Sequence, residues 1–264
     1  MKKIQEEPTG TVSSASAQGD RSHQEDYLVR EWITLPGGSG WLLGVFDGHR
    51  GASTSELASL AFIGLFEKYF RAQPGDVQAA LLAAFEALDE MTRDHRSGST
   101  ASVVFIQEDS GTVTLAVLGD SPVAVLDGQG KIHNGPDHNI RRNLEERSAA
   151  EARGGIYAGG YLEDAQSPGV GLQMTRALGD FELSRVLVRQ PEIKKIDLGE
   201  KGLVIVGTDG LLSPEAGSNA EQMTKLLDLV QKGAAAKALV DDALARHTGD
   251  NVTAIVWRSD QGLG

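Results

Sequence analysis

Several short apolar runs in this chain have an aspartate at one end, and this feature limits the folds that are open to it. The runs have the length and apolar content of buried β-strands. They are WLLGVF (41–46), LVIVG (203–207) and VTAIVW (252–257). Asp47-Gly48 and Asp209-Gly210 follow the first two, and Asp250 comes just before the third. Because the strands of one sheet share their ends, these acids can converge in space.

An Asp-Gly pair between two strands is a strong signal of a β-hairpin. Asp127-Gly128 lies between VAVL and GKIH and therefore predicts a hairpin. After Asp47, however, the chain continues into a helical pattern, and after Asp209 no partner strand follows directly. Neither of those two pairs fits a two-residue hairpin, although each acid taken alone is more often a cap or turn residue than a ligand.

Together these acids form a cluster of oxygen ligands, to which Glu25-Asp26 adds at the start of another strand pattern. Such a cluster repels itself unless a cation lies among its members. Oxygen ligands select Mg²⁺, Mn²⁺ or Ca²⁺ rather than zinc. The chain has no cysteine, and its six histidines show no zinc spacing.

The rest of the chain alternates between strand and helix patterns. Strand patterns occupy 11–18, 26–33, 101–107, 112–118 and 122–126. Helical patterns occupy 53–71, 76–93 and about 143–153, and helices are expected to fill 218–247. A glycine-rich stretch, 154–171, predicts a long loop. No repeat or shift in composition marks a boundary, so one α+β domain over residues 1–264 is expected.

The charge balance excludes some classes of partner. Twenty-five basic and 37 acidic side chains give a net charge of −12 over 264 residues. That excess of acid argues against a nucleic-acid or anionic-membrane surface, since both need clustered Lys and Arg. No apolar stretch approaches the roughly 20 residues of a membrane span. A cytoplasmic protein without disulfides is expected.

Seven short motifs, in order, give the chain a resemblance to a known family. They are RSHQED (21–26), VFDGHRG (45–51), GSTAS (98–102), LGDS (118–121), TRALGD (175–180), GTDGLL (207–212) and GDNVT (249–253). In this order they resemble the metal-dependent Ser/Thr protein phosphatases of the protein phosphatase 2C family. The resemblance implies a four-layer α-β-β-α sandwich, with two central antiparallel sheets flanked by helices. It also implies hydrolysis of phosphoserine and phosphothreonine by a water that bridges two Mn²⁺ or Mg²⁺ ions.

The resemblance also implies a role for individual residues. Asp47, the carbonyl of Gly48, Asp209 and Asp250 would bind the two ions, while Glu25 and Asp26 would hold metal-bound waters. Asp120, with Asp209, would bind a weaker third ion. Arg21 would hold the substrate phosphate through its planar fork. His49 would act as the general acid that protonates the leaving seryl or threonyl oxygen.

Three positions depart from the family pattern: Gln24 replaces Asn, Arg50 replaces Gly, and Pro122 replaces Arg. None removes a predicted ligand. Arg50 could contact phosphate or pair with an acid on the rim of the site, and the second interpretation is favoured because the family manages without this side chain. Asp180 in TRALGD is interpreted as ordering a loop.

Two other functions stay open: a catalytically inactive scaffold, and a phosphatase acting on a non-protein phosphoester. Loss of a metal-binding acid would indicate the scaffold, and none is lost. The expected protein is a monomer whose substrate is a phosphoprotein and whose function is in signalling. Its specificity is assigned to a flap-like loop at about 154–174.

Overall fold

A computed structural model describes residues 10–107, 110–199 and 201–259. Within these ranges the strands, numbered β1 to β15, are Thr11–Ala17, Asp26–Leu35, Gly38–His49, Gly98–Ser99, Ala101–Gln107, Thr112–Leu118, Val123–Leu126, Ile132–Asn134, Gly155–Ala158, Tyr161–Asp164, Ser167–Leu172, Leu178–Gly179, Glu192–Asp197, Leu203–Gly207 and Val252–Arg258. The helices, α1 to α5, are Ser53–Ala72, Val77–Thr92, Leu144–Ala152, Asn219–Gln231 and Ala236–Ala245. The ends of the expected 1–264 domain lie outside the described residues.

Two antiparallel sheets form the centre of the structure. One has the strand order β1-β15-β14-β7-β8, and the other has the order β12-β4-β3-β5-β6-β13 with β2 paired to β3. Apolar side chains from both sheets, including Val45, Val104, Val206 and Ile255, form a buried layer between them. Helices α1 and α2 cover the outer face of the second sheet, and α4 and α5 cover the outer face of the first. The predicted α-β-β-α sandwich is confirmed.

Helix boundaries follow local sequence signals. Pro74-Gly75 separates α1 from α2, as predicted, and the Asp76 side chain caps α2 by accepting a hydrogen bond from the Ala79 N–H at 2.9 Å. Ser218 and Glu221 form a capping box at the start of α4. None of the helices in the described ranges is long and apolar enough to cross a membrane.

The pairing register brings every acid-bearing segment to one edge of the sandwich. In the first sheet Gly207 pairs with Ala254 and Ala17 with Val252, so the segments after β1 and β14 lie beside the one before β15. In the second sheet Asp26 pairs directly with Asp47. The acids predicted from separate parts of the sequence therefore meet at this edge.

The Asp-Gly pairs differ as the sequence predicted. Asp127-Gly128 opens the turn between β7 and β8, where the Asp127 carboxylate accepts hydrogen bonds from the N–H groups of Gln129 and Lys131. Strand β3, by contrast, continues through Asp47-Gly48 and pairs its last two residues with β4. The Asp47-Gly48 pair is thus part of a strand end and not a hairpin turn.

The long loop predicted for 154–171 is wrong. This segment forms a small antiparallel sheet of the strands β9, β10 and β11, and its Leu162 and Leu172 pack against α3 in a separate buried cluster. Glycines and exposed side chains interrupt the alternating pattern that would reveal these strands. Strand β13, with the sequence EIKKID, was not predicted either; it pairs with β6 at the border of the second sheet.

Aromatic rings at helical spacing anchor α1 to its sheet. Phe66 is fully buried, with its ring centroid 4.9 Å from that of Phe105 and 5.6 Å from that of Phe70. Phe66→Ala should therefore lower the free energy of unfolding by about 3–5 kcal/mol, through lost burial and the cavity left behind. Chemical denaturation measures this change.

Leu60 on the same helix is the matched control, because 77% of its surface is exposed. Leu60→Ala should change the free energy of unfolding by less than about 0.5 kcal/mol. Equal losses for Phe66→Ala and Leu60→Ala would contradict this packing arrangement.

Candidate metal centre

One cleft of about 250 Å³ at the acidic edge brings together most of the predicted site residues. Its lining includes Arg21, Asp47, Gly48, His49, Asp120, Asp209 and Asp250. Other lining residues come from the small sheet and the segment after it; they include Tyr161, Leu172, Gln173 and Met174. The segment mispredicted as a loop therefore forms one side of the cleft.

Glu25 and Asp26 do not line the cleft but lie behind it. The Glu25 carboxylate accepts a hydrogen bond from the Gly51 N–H at 3.1 Å. Asp26 is buried, and its Oδ2 accepts a hydrogen bond from the Thr208 hydroxyl at 2.9 Å. Its Oδ1 has no hydrogen-bond partner within the described part of the chain. A buried carboxylate oxygen without a donor is an acceptor position that a metal-bound water could satisfy.

The glycines of the two Asp-Gly pairs allow close approach of neighbouring backbone. A Cβ on Gly48 would lie 2.5 Å from the Glu25 carbonyl oxygen, and a Cβ on Gly210 would lie 2.0 Å from the Asn251 carbonyl oxygen. Side chains at these positions would push apart the segments that carry the acids. The Asp-Gly sequence thus supplies a carboxylate and the space to place it beside another one.

The acids in and behind the cleft destabilise one another's charged forms. Burial, followed by repulsion from other acids of the site, raises the pKa of Asp47 well above its ordinary value. Burial, with repulsion from Asp120 and Asp250, raises the pKa of Asp209 to about 7. Burial also raises the pKa of Asp26 to about 6 and shifts that of Asp120 upward. Such raised pKa values indicate that the residues of the site do not fully balance the negative charge of its acids.

These observations fit a divalent cation by the chemistry of the available donors, which are half-buried and buried carboxylates and a backbone carbonyl. Among the residues that the structure describes, no three acidic or histidine side chains already form a tight ligand group. The acids share a cleft, and their oxygens would need to close around an ion.

Arg21 and His49 already have acidic partners. Arg21, which is exposed, donates from Nη2 to the Asp250 carboxylate at 2.8 Å and from Nε to the Gly249 carbonyl at 3.0 Å. His49 Nε2 lies 2.7 Å from Oδ2 of the fully buried Asp180. Sequence reasoning gave Asp180 a role in ordering a loop and missed this contact, because 131 positions separate the two residues.

Asp120 has protein donors around it. Its Oδ2 accepts a hydrogen bond from the Asn139 side-chain amide at 2.7 Å, and Arg142 Nη2 lies 3.7 Å away. Arg142 also binds Asp137 through two hydrogen bonds, of 2.6 and 3.1 Å. Sequence reasoning missed both Asn139 and Arg142, which carry no signal outside this fold. Protein groups thus balance part of the charge at the position predicted for a third ion.

Comparison with known proteins places these features in a family. The family model described as "Protein phosphatase 2C" matches residues 12–252. The chain is 32% identical to the probable protein phosphatase 2C 59 of Arabidopsis thaliana, over 95% of this chain and 80% of that protein. It is 30% identical to the probable protein phosphatase 2C 11 of the same plant, but spans only 65% of that protein's length.

Solved structures share the fold. A serine-threonine phosphatase 2C from Toxoplasma gondii superposes with a TM-score of 0.74 at 20% identity, covering 96% of each chain. The catalytic domain of the phosphatase PstP, solved in complex with two manganese ions, gives a TM-score of 0.61 at 21% identity, covering 95% of this chain and 98% of that one. With the family model spanning nearly the whole sequence, the chain belongs to the protein phosphatase 2C family of metal-dependent Ser/Thr phosphatases.

Proposed function

We propose that this protein hydrolyses phosphoserine and phosphothreonine esters of proteins, using two Mn²⁺ or Mg²⁺ ions. The observation that carries the proposal is the convergence of Asp47, Asp209 and Asp250 in one cleft with His49 and Arg21. A cluster of carboxylates is suited to cations, and an adjacent imidazole and guanidinium are suited to a phosphate ester. No observation favours an inactive scaffold, since the predicted acids are all present.

Asp47, the Gly48 carbonyl, Asp209 and Asp250 would hold the two ions, with Asp26 and Glu25 behind them. When bound, a pair of divalent cations supplies activation of a water molecule and neutralises charge on the phosphoryl oxygens. The protein's own contribution is to bring carboxylates from separate strands together on a rigid sheet edge. Asp120 would give at most a weak third position, because Asn139 and Arg142 already lie beside it.

Arg21 is suited to bind the substrate phosphate, because a guanidinium presents paired donors to two oxygens. It now donates to Asp250, which is also a proposed metal ligand. A cation held by Asp250 would take over the neutralisation of that carboxylate, so that Arg21 could turn to the phosphate.

His49 is suited to protonate the leaving oxygen of the serine or threonine. Its Nε2 faces the buried Asp180 carboxylate, which fixes the plane of the ring. Nδ1 is then the ring nitrogen that can face a substrate in the cleft. Proton donation matters because an alkoxide is a poor leaving group. The cytoplasmic location, the monomeric state and the role in signalling stay predictions.

The first test is metal dependence. Hydrolysis of a phosphopeptide should stop in EDTA and return when Mn²⁺ or Mg²⁺ is added in excess. Asp47→Asn and Asp209→Asn should each lower kcat/KM more than about 100-fold, since each removes a charged ligand. Asp241→Asn, at an exposed pair with Lys237 on α5, is the control and should leave the rate unchanged. Full activity in the chelated protein would refute the metal centre.

The contribution of His49 to the rate of hydrolysis should depend on the leaving group of the substrate. His49→Gln should slow hydrolysis of a phosphoserine peptide by about 100-fold or more, because the departing alkoxide needs a proton. An aryl phosphate has a far more stable leaving group and should lose much less. Steady-state kinetics on both substrates measures this difference. Equal losses would show that His49 supports the metal site instead.

Repulsion between the carboxylates should also lower the free energy of unfolding of the protein in EDTA. Folding raises the pKa of Asp209 to about 7, from about 3.9 in the unfolded chain. The contribution of Asp209 to the free energy of unfolding is therefore most favourable below about pH 4. That contribution is lost as the pH rises to about 7, since the folded state then gives up its extra proton.

Asp209→Asn should therefore raise the melting temperature in EDTA by several degrees at pH 7.5. At pH 4.5 the difference between the variant and the unmodified protein should be much smaller. Excess Mn²⁺ should reverse the order at pH 7.5, because only the unmodified protein keeps the full ligand set. Thermal unfolding of both proteins under these three conditions provides the measurement. A pH-independent difference in EDTA would contradict the repulsion.

A further inference from the structure

Two residues beside the cleft have a backbone conformation that side chains rarely adopt. Arg50, directly after His49, has φ 61°, and Asp180 has φ 49°. Both lie in the left-handed region, which is unfavourable for any residue with a Cβ. Such conformations persist where surrounding contacts impose them, and they cluster at functional sites. Arg50 follows His49 in the chain, and Asp180 is the residue that contacts the His49 ring.

The side chains of Arg50 and Asp180 form a series of polar contacts that leads from Glu182 to His49. Arg50 Nη2 binds the Glu182 carboxylate, and Arg50 Nη1 lies 3.5 Å from Asp180 Oδ1. Asp180 Oδ2 lies 2.7 Å from His49 Nε2. In the described ranges Asp180 Oδ1 makes no hydrogen bond, so Arg50 is the cation that faces this oxygen. One buried carboxylate therefore contacts a histidine at one oxygen and has an arginine at ion-pair distance from the other.

His49 and Asp180 both lie close against Gly98. A Cβ on Gly98 would lie 1.9 Å from Asp180 Oδ2 and 2.2 Å from His49 Nε2. The Asp180 backbone is tied to the same segment by its N–H, which donates to the Ser97 carbonyl at 3.1 Å. Arg50 Nη1, 3.5 Å from Asp180 Oδ1, lies where it could restrain rotation of this carboxylate.

We infer that Arg50 is a positioning residue for His49, acting through the Asp180 carboxylate. This inference rests on the proposed function, in which His49 donates the proton to the leaving group. It extends the sequence-based interpretation of Arg50 as one half of an ion pair on the rim. The Glu182 pair is partly exposed and would do little alone, but Asp180 is fully buried, where orientation and charge have larger effects.

Direct phosphate binding by Arg50 is the competing role. Both of its terminal nitrogens face carboxylates, and only 31% of the side chain is exposed. Contact with phosphate would require these interactions to open. The existing contacts therefore favour positioning over substrate binding.

The test compares Arg50→Gly and Arg50→Lys on a phosphoserine peptide and an aryl phosphate with Mn²⁺. Arg50→Gly should lower kcat for the peptide about tenfold, because a misplaced proton donor slows the step that needs it. KM for the peptide should stay within twofold, and kcat for the aryl phosphate should fall less than threefold. Arg50→Lys keeps the charge and should recover part of the loss.

Stability separates positioning from damage to the fold. Glycine adopts φ 61° readily, and this relief of strain should offset the loss of the ion pairs with Asp180 and Glu182, so Arg50→Gly should melt within a few degrees of the unmodified protein. Arg71→Gln is the matched control, since it breaks an exposed ion pair with Glu67 at the far end of α1. Its kinetics should be unchanged on both substrates. A kcat loss in Arg50→Gly that follows a lower melting temperature would overturn the inference.

The other outcomes also decide the question. A rise in KM on both substrates would make Arg50 a phosphate ligand. Equal kcat losses on the two substrates would indicate a disturbed metal site, and no change would leave only a surface ion pair. Each of these results would overturn the positioning role. In an Asp180→Asn background, Arg50→Gly should have no further effect on kcat, because its route to His49 is gone.

A readout that needs no turnover distinguishes this inference from the proposed function. ¹⁵N NMR of the ring nitrogens, with His49 assigned by comparison with His49→Gln, should show a hydrogen on Nε2. The His49 signals should shift or broaden in Arg50→Gly and stay unchanged in Arg71→Gln. Failure of the unmodified protein to hydrolyse either substrate would refute the proposed function alone. Unchanged His49 signals in Arg50→Gly would refute the inference alone.

Discussion

Repulsion between carboxylates at one edge of the sandwich is the constraint to which much of this structure responds. The register of β2 and β3 sets Asp26 directly opposite Asp47, and like charges at opposed positions weaken strand pairing. Other segments add Asp209 and Asp250 to the same edge. The ten-residue pairing of β2 with β3 and the buried layer between the sheets must hold this edge against the repulsion. A cation bound at the cleft would neutralise these carboxylates, so that the same arrangement would stabilise the fold.

The site depends on the completed fold, because its members come from distant parts of the chain. Asp26 and Asp47 belong to the second sheet, whereas Asp209 and Asp250 lie at strand ends of the first. Only the packing of one sheet on the other brings the two pairs together. The close backbone approaches at Gly48 and Gly210 then set their spacing within each sheet. Stability of the sandwich and affinity for a cation are thus linked properties.

The sequence predicted the strand ends and their acids, since apolar runs and charged termini are local signals. It also predicted the layer order, through a family resemblance that the family model bears out. The small sheet at 155–172 was missed because few of its side chains point into a core, so that the alternation is weak. Contacts such as His49 with Asp180 have no local signal at all, because they depend on the folded path of the chain. The sequence therefore located the acids at the strand ends but not the partners, such as Asp180, that the folded chain brings next to site residues.

Three arginines in and near the cleft are each paired with an acidic side chain. Arg21 pairs with Asp250, Arg142 with Asp137 and Arg50 with Glu182, so that each guanidinium already has a carboxylate. In a protein of net charge −12, free cationic groups near the cleft would be scarce. For any of these three arginines, phosphate binding would require an exchange of partners, and the arginine whose acid also binds a cation would be the one released. Asp250 is the only one of these three acids proposed as a metal ligand, which agrees with the proposals that Arg21 binds phosphate and that Arg50 positions His49.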